Sequence, residues 1–336
     1  MMETPPARQI VTLRDVAEAS GVSISTVSRV LDDRTPPSRS ATAARVRQAA
    51  EALGYRRNVY ASGLRRGQTG TIGVLVPRLT DTVMALMFES LERAARARGF
   101  FAVVATCGDD PESERTSTEI LLDRGVDGLV LATARLGDEL PAALRARGIP
   151  HSLALRTDGI SPSSLGDDEA GGYLALRHLI DLGHRDIALV TGPRFTSSAN
   201  DRIRGARRAL AEAGMTLDED RIFYAGYGID QGLEAGQELF SRSRPSAVFA
   251  ANDNLAVGVM RAAHLAGRTV GDDLSLVGYN DIPLAGRLPI PLTTVHVPFD
   301  QVATVALDLL ADPSGDSIRR VLPTLIPRAS TTHPVA

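Results

Sequence analysis

The sequence predicts an α/β protein in two parts. A small helical head carries a helix-turn-helix, and a two-lobed body of doubly wound parallel sheet follows. Three observations carry this reading. The chain has 336 residues, too many for one small domain. Near residue 70 the apolar pattern changes from helical spacing to short apolar runs separated by amphipathic helices. The charge is also uneven. Residues 1–70 carry 11 arginines against 6 acidic side chains, whereas the remainder carries 26 against 34. A basic head on an acidic body points the head, and not the body, toward phosphate.

The head divides into three helices. The first opens at Thr12, with Asp15 three positions on as a capping-box partner, and runs to about Ser20. Gly21 stands where the chain must turn through a left-handed conformation. Ser23 caps a second helix from Ile24 to about Leu31. A loop rich in proline and serine, residues 32–40, leads to a third helix carrying Val46, Ala49, Ala50 and Leu53, which stops at Gly54. Val16, Ala17, Val22, Val27, Val30 and Leu31 supply the apolar face that a trihelical unit needs. These boundaries give a head of residues 1–57, a linker of residues 58–69 too poor in apolar residues for a core, and a body of residues 70–336.

In the body, apolar runs at 71–76, 100–105, 128–132, 187–190, 247–251 and 274–279 alternate with helical stretches, the pattern of βαβ units. Six or more strands over this length imply two subdomains with a cleft between them. Ligands in such folds sit at the carboxyl ends of the strands.

Composition narrows the function further. Hydrophobic residues make up 43% and charged residues 23% of the chain, enough for a packed core. No run approaches the roughly 18 apolar residues of a membrane span. Residues 1–15 lack an apolar signal region, so a cytoplasmic protein is expected. The single cysteine, Cys107, excludes an intrachain disulfide and a cysteine-based zinc site. All 37 basic residues are arginine, a compositional habit that excludes a Gly-x-x-x-x-Gly-Lys phosphate loop. Neither Gly-x-Ser-x-Gly nor His-Glu-x-x-His occurs, and the six histidines are scattered, with His178 and His184 expected in structural roles. No enzyme chemistry and no cofactor are therefore expected.

The second head helix has the residues of a DNA-reading element. Ser25 and Arg29 lie four apart on one face, with Ile24 beside them. Arg29 can address guanine O6 and N7, and Ile24 can read shape or a thymine methyl. Thr12, Ser23, Thr26, Ser28, Arg56, Arg57, Arg65 and Arg66 are candidate phosphate contacts.

The order of residues from Thr12 to Leu31, TLRDVAEASGVSISTVSRVL, resembles the helix-turn-helix signature of the lactose/galactose repressor (LacI) family. The resemblance continues through Ala50–Tyr55, Asn58, His178–Ile187, Thr191–Pro193, Ala251–Asp253, Val277–Asp281 and Pro291–Thr294. It implies a periplasmic-binding-protein-like body and a regulator that binds double-stranded operator DNA. It places Ile24, Ser25 and Arg29 at base-reading positions. Asn58, Ala61 and Leu64 fall in a hinge segment, where Leu64 matches a leucine that wedges into the minor groove. The wedge competes with a simple packing role for that leucine.

The resemblance also implies a small-molecule effector, a sugar, between the two subdomains. Polyol recognition calls for charged and amide groups with an aromatic face. Matching blocks assign such roles to Asp81, Arg202, Tyr227, Asn252, Asn280, Asp281 and Phe299, although Arg202 could instead pair with Asp201 or Asp230, Phe299 could belong to the core, and Asn252 with Asp253 could simply cap a helix. Some positions depart from the family pattern. Asp81–Met84 replaces a more aromatic segment, Gly166 stands where relatives can have an aromatic, and the loop 32–40 is one residue longer. Gly63 weakens the hinge helix by about 1 kcal/mol relative to alanine, which favours a hinge folded only on DNA. One helix-turn-helix reads few base pairs, so a homodimer on a near-palindromic site is expected, without a tetramerising helix. The effector is expected to shift the lobes and release the DNA. Replacing Arg29 by alanine should weaken operator binding by about 1–3 kcal/mol and relax base preference at one position, which competition with base-substituted duplexes would measure.

Overall fold

The computed structural model describes residues 11–31, 38, 40–55, 69–313 and 317–334. The chain divides into two compact units, Met1–Thr69 and Gly70–Ala336.

In the first unit, helices α1 (Leu13–Ser20), α2 (Ile24–Val30) and α3 (Ala41–Ala52) form the expected trihelical head. Thr12 and Asp15 close a reciprocal capping box: Thr12 N–H donates to Asp15 Oδ2 at 2.7 Å, and Asp15 N–H donates to Thr12 Oγ1 at 3.4 Å. Gly21 has φ +66°, and its N–H bonds back to the end of α1, so the turn between α1 and α2 needs a residue without Cβ. Val16, Ala17, Val27, Val46 and Ala50 form the buried centre, flanked by Val22, Val30 and Leu31. Helix α3 ends at Ala52, one residue before Leu53, which is exposed and not in the core.

The second unit holds twelve strands: β1 (Thr71–Val76), β2 (Phe101–Thr106), β3 (Gly128–Leu131), β4 (His151–Ala154), β5 (Ser163–Gly166), β6 (Ile187–Thr191), β7 (Ile222–Tyr224), β8 (Ala247–Ala250), β9 (Ser275–Asn280), β10 (Thr293–His296), β11 (Ile318–Val321) and β12 (Thr324–Ile326). Between them run α4 (Thr82–Ala97), α5 (Pro111–Asp123), α6 (Glu139–Ala146), α7 (Asp168–Asp181), α8 (Ser197–Glu212), α9 (Ile229–Arg242), α10 (Asp253–Leu265) and α11 (Phe299–Ala311). Two six-stranded sheets result, in the orders β11-β5-β4-β3-β1-β2 and β12-β10-β9-β8-β6-β7. Every pairing is parallel except β10 with β12. Strands β1, β3, β6, β8 and β9 are almost wholly buried, as helix-covered parallel strands must be.

The chain crosses between the lobes three times: after β5, where it enters α7 of the second lobe; after β10, where it enters α11 of the first; and between β11 and β12. Each lobe is thus built from discontinuous segments, and neither is complete without the other's chain. Within the second lobe, glycines let helix pairs approach closely. A Cβ on Gly205 of α8 would lie 1.9 Å from the carbonyl oxygen of Glu169 in α7, and one on Gly172 would lie 2.1 Å from that of Arg202. The C-terminal segment is fastened by the two histidines of the His178–Ile187 block: His184 reaches Ser246, Ser275 and the Thr332 carbonyl, each at 2.9 Å, and His178 reaches Thr331 at 3.0 Å. Gly205→Ala forces α7 and α8 apart, so it should destabilise the body by about 1–3 kcal/mol or more, visible as a lower melting temperature by circular dichroism.

Candidate functional site

The first candidate surface is α2. Ser23 caps it: Thr26 N–H donates to Ser23 Oγ at 3.2 Å, and that hydroxyl also meets Ser25 Oγ at 2.8 Å and Thr26 Oγ1 at 2.9 Å. Thr26 and Ser28 are half-buried, while Ser25 and Arg29 are exposed. Ile24 is 43% exposed, an apolar side chain at the opening of a helix that is outside the buried core formed by the described residues of its unit. Thr12 is exposed at the cap of α1, its hydroxyl 2.8 Å from Asp15 Oδ2. Asn58, Ala61 and Leu64 lie outside the described residues.

The second candidate is a cleft between the lobes of the body, with about 360 Å³ of empty volume partly open to solvent. Asp81, Val83 and Met84 line it from the segment after β1, and Leu155 and Arg156 from the end of β4. The other lobe contributes Ser198 and Arg202 of α8, Tyr227, Asn252 after β8, and Asn280 at the end of β9. These are carboxyl ends of parallel strands, where doubly wound sheets bind ligands. Asp81, Arg202, Tyr227, Asn252 and Asn280, far apart in sequence, are brought together here.

Each is held from behind. Arg202, 7% exposed, donates through Nε and Nη2 to Asp168 Oδ1, both at 2.8 Å, and through Nη1 to the Ala251 carbonyl. Its guanidinium carbon stands 3.7 Å from the centroid of the Tyr279 ring. Burial disfavours the Arg202 charge, but the Asp168 carboxylate and its hydrogen bond outweigh this and raise the pKa. Its partner is therefore Asp168, not Asp201 or Asp230. Asn252 caps α10 through Leu255 N–H at 2.7 Å and donates to the Tyr227 carbonyl at 3.0 Å. The Tyr227 hydroxyl meets Thr196 Oγ1 at 2.9 Å and Ser198 Oγ at 3.1 Å. A Cβ on Gly192 would lie 2.1 Å from Tyr227 Cζ, so glycine in the Thr191–Pro193 block makes room for the ring.

The described residues include three non-glycine residues with positive φ: Leu155 at +64°, Asn280 at +99° and Asp281 at +55°. Two line the cleft and the third adjoins it. Such conformations persist only where the surroundings over-determine them, and they gather at functional sites. At Asn280 the support is visible. Buried Asp253 accepts from Thr294 Oγ1 at 2.6 Å and from Ile282 N–H at 2.8 Å, tying α10 to the turn and to β10.

Two predicted effector residues lie elsewhere. The Asp281 carboxylate is engaged by Arg328 Nη2 at 2.7 Å and His296 Nδ1 at 3.2 Å, which fixes the turn from its far side. Phe299 opens α11 directly after a lobe crossing and packs against the core. Neither lines the cleft. Sequence reasoning missed Arg156 and Ser198. Arg156 follows β4, a four-residue strand of mixed polarity whose carboxyl end becomes a site only once β4 is recognised.

Direct bonds also join the lobes across the cleft. Asn254 Nδ2 donates to Asp81 Oδ1 at 3.1 Å, Thr157 N–H donates to Ser197 Oγ at 2.9 Å, and Leu136 N–H donates to the Phe195 carbonyl at 3.0 Å. Burial raises the Asp81 pKa; hydrogen bonds from Val83 and Asn254 and the charges of Arg156 and Arg78 oppose it.

Known proteins resemble this chain over most of its length. Residues 12–58 match the bacterial regulatory proteins of the lacI family, and residues 176–331 match a periplasmic binding protein-like domain. The transcriptional repressor PurR of Vibrio parahaemolyticus is 34% identical over 309 residues, 90% of this chain and 91% of that protein. The ribose operon repressor of Escherichia coli is 33% identical over 303 residues, 89% of this chain and 92% of that protein. The Lac repressor dimer bound to operator and the anti-inducer ONPF superposes with a TM-score of 0.86 at 28% identity, covering 96% of this chain and 100% of that one. The chain belongs to the LacI family of bacterial regulatory proteins. It is a DNA-binding transcriptional repressor with an effector-binding domain, and not an enzyme. Among the described residues, no helix is long and apolar enough to cross a membrane.

One support of the cleft titrates. Burial pushes the Asp253 carboxyl up from 3.8 to about 7, against the pull of its hydrogen bonds from Thr294 and Ile282. The folded state therefore holds this proton more tightly than the unfolded chain. The stability it contributes is complete below about pH 4 and is lost as pH rises through about 7. Across that window the melting temperature should carry a downward contribution with rising pH, and Asp253→Asn, which cannot titrate, should flatten it.

Proposed function

We propose that this protein is an operator-binding repressor that works as a homodimer on a near-palindromic site. A sugar-like effector held in the lobe cleft releases it from the DNA. The observation that carries the reading is the convergence of Asp81, Arg156, Ser198, Arg202, Tyr227, Asn252 and Asn280 on one cleft at the strand ends of both lobes. Amide, hydroxyl, carboxylate and guanidinium groups beside an aromatic ring suit a polyol, which offers many hydroxyls and an apolar ring face. The names of the ribose operon repressor and the Lac repressor support a sugar.

In this reading, Ile24, Ser25 and Arg29 of α2 enter the major groove, and Thr12, Ser23, Thr26 and Ser28 approach phosphates. Asn58, Ala61 and Leu64 serve as the hinge against the minor groove. The effector acts by favouring one arrangement of the lobes, so its effect on DNA affinity cannot exceed its differential affinity for the two arrangements.

The test is fluorescence anisotropy on a palindromic promoter duplex and on a random duplex, at two salt concentrations and with candidate sugars. The expected result is preference for the promoter with a steep salt dependence, and release by one sugar. Asn280→Ala should remain on the promoter at effector concentrations that release the unsubstituted protein. Equal binding to promoter and random duplex under every condition contradicts the proposal.

A further inference from the structure

The two arginines of the cleft differ in what neutralises them. Arg202 has Asp168, the Ala251 carbonyl and the face of Tyr279. Arg156 is 4% exposed and lines the same cleft, but among the described residues its guanidinium makes no hydrogen bond. The only carboxylate within 4 Å of it among the described residues is that of Asp109, at 3.9 Å, and Asp109 already pairs with Arg78 at 2.7 Å. The Tyr227 ring lies beneath it, its centroid 5.2 Å from Arg156 Cζ.

The remaining charged groups nearby do not fill this gap. Asp81, the one carboxylate lining the cleft among the described residues, acts on Arg156 through space but makes no hydrogen bond to it, and its Oδ1 serves Val83 N–H and Asn254 Nδ2. Glu114 is buried and accepts from Thr133, and its pKa is raised by burial. Arg135 adds a further positive charge, occupied with the Asp109 carbonyl and the Phe195 ring. A cation so little exposed, reached only from the cleft and without a hydrogen bond from the described residues, is stabilised by a partner that enters the cleft. A sugar hydroxyl can accept one N–H but cannot balance the charge. A carboxylate or phosphate does both, and its oxygens match the planar fork of a guanidinium.

Building on the cleft reading above, we propose that the effector is a monosaccharide-sized polyol bearing one anionic group, a carboxylate or a phosphate, held by Arg156. Asn280, Ser198 and Tyr227 then face its hydroxyls and ring. This assigns Arg156 as the residue that separates an acidic sugar from its neutral parent.

Calorimetric titration of the full chain tests it, with gluconate, galacturonate and ribose 5-phosphate set against glucose, galactose and ribose. At least one anionic probe should bind saturably and about tenfold or more tighter than its neutral counterpart, the strength expected of charge-assisted hydrogen bonds. The gluconate and galacturonate arms separate a carboxylate from the phosphate of ribose 5-phosphate. Arg156→Gln, with its fold checked by its ligand-free melting temperature, should erase the preference, and Arg156→Lys should restore part of it. Three results overturn the proposal: a neutral sugar binding as tightly as its acid, anion binding that survives Arg156→Gln, or no saturable response to any anionic probe. If a neutral sugar binds and Asn280→Ala abolishes that binding, the cleft reading stands and only the anionic group is lost. If neither class binds, or binding ignores both substitutions, the cleft reading falls as well.

Discussion

The ion pair between Arg202 and Asp168 is the constraint around which the second lobe's half of the cleft is arranged. Both side chains are buried, and neither is tolerable there alone. Desolvation raises the Asp168 pKa, and Arg202 opposes that rise. The pair joins α8 to the first residue of α7, at the point where the chain has just entered the second lobe. Its third hydrogen bond fixes the backbone at Ala251, directly before Asn252. The stacked ring of Tyr279 precedes Asn280. A single guanidinium thus sets the positions from which Asn252 and Asn280 reach the cleft. Close helix contacts at Gly172 and Gly205 are what bring α7 near enough for the pair to form.

Polar bonds join the lobes at the cleft, beside apolar side chains of both lobes that belong to one buried cluster. Asp81 with Asn254, Thr157 with Ser197 and Leu136 with Phe195 each join one lobe to the other. Bonds of this kind exchange readily with water and are individually worth about 1 kcal/mol. A ligand that replaces or strengthens a few of them can therefore move the balance between lobe arrangements by the 1–3 kcal/mol typical of coupling between sites. Three crossings of the chain tie the lobes to one another.

Much of this was legible beforehand. The capping box at Thr12 and Asp15, the turn at Gly21 and the serine cap at Ser23 are local devices, and the head follows from them. The six apolar runs became β1, β2, β3, β6, β8 and β9, five of them interior strands and β2 an edge strand of its sheet. Strands β4, β5, β7, β10, β11 and β12 are three or four residues long, and all but β7 include serine, threonine or a charged side chain, so no periodicity could reveal them. Arg156 was overlooked because it follows one of these. Asp168 was overlooked because its partner lies 34 residues away, joined only by tertiary packing. Asp281 closes the matching block Val277–Asp281, yet its carboxylate faces Arg328 and His296; a backbone of positive φ turned it from its neighbour Asn280, which no linear pattern encodes.

A repressor whose cleft governs its head obeys reciprocity: whatever the ligand does to DNA affinity, DNA must do to ligand affinity by the same factor. The most direct measurement is the ligand dissociation constant of the full chain, determined once without DNA and once saturated with operator. The account predicts that operator weakens ligand binding by about 5- to 150-fold, matching the factor by which saturating ligand weakens operator binding. Identical ligand affinities for the free and operator-bound protein would contradict it.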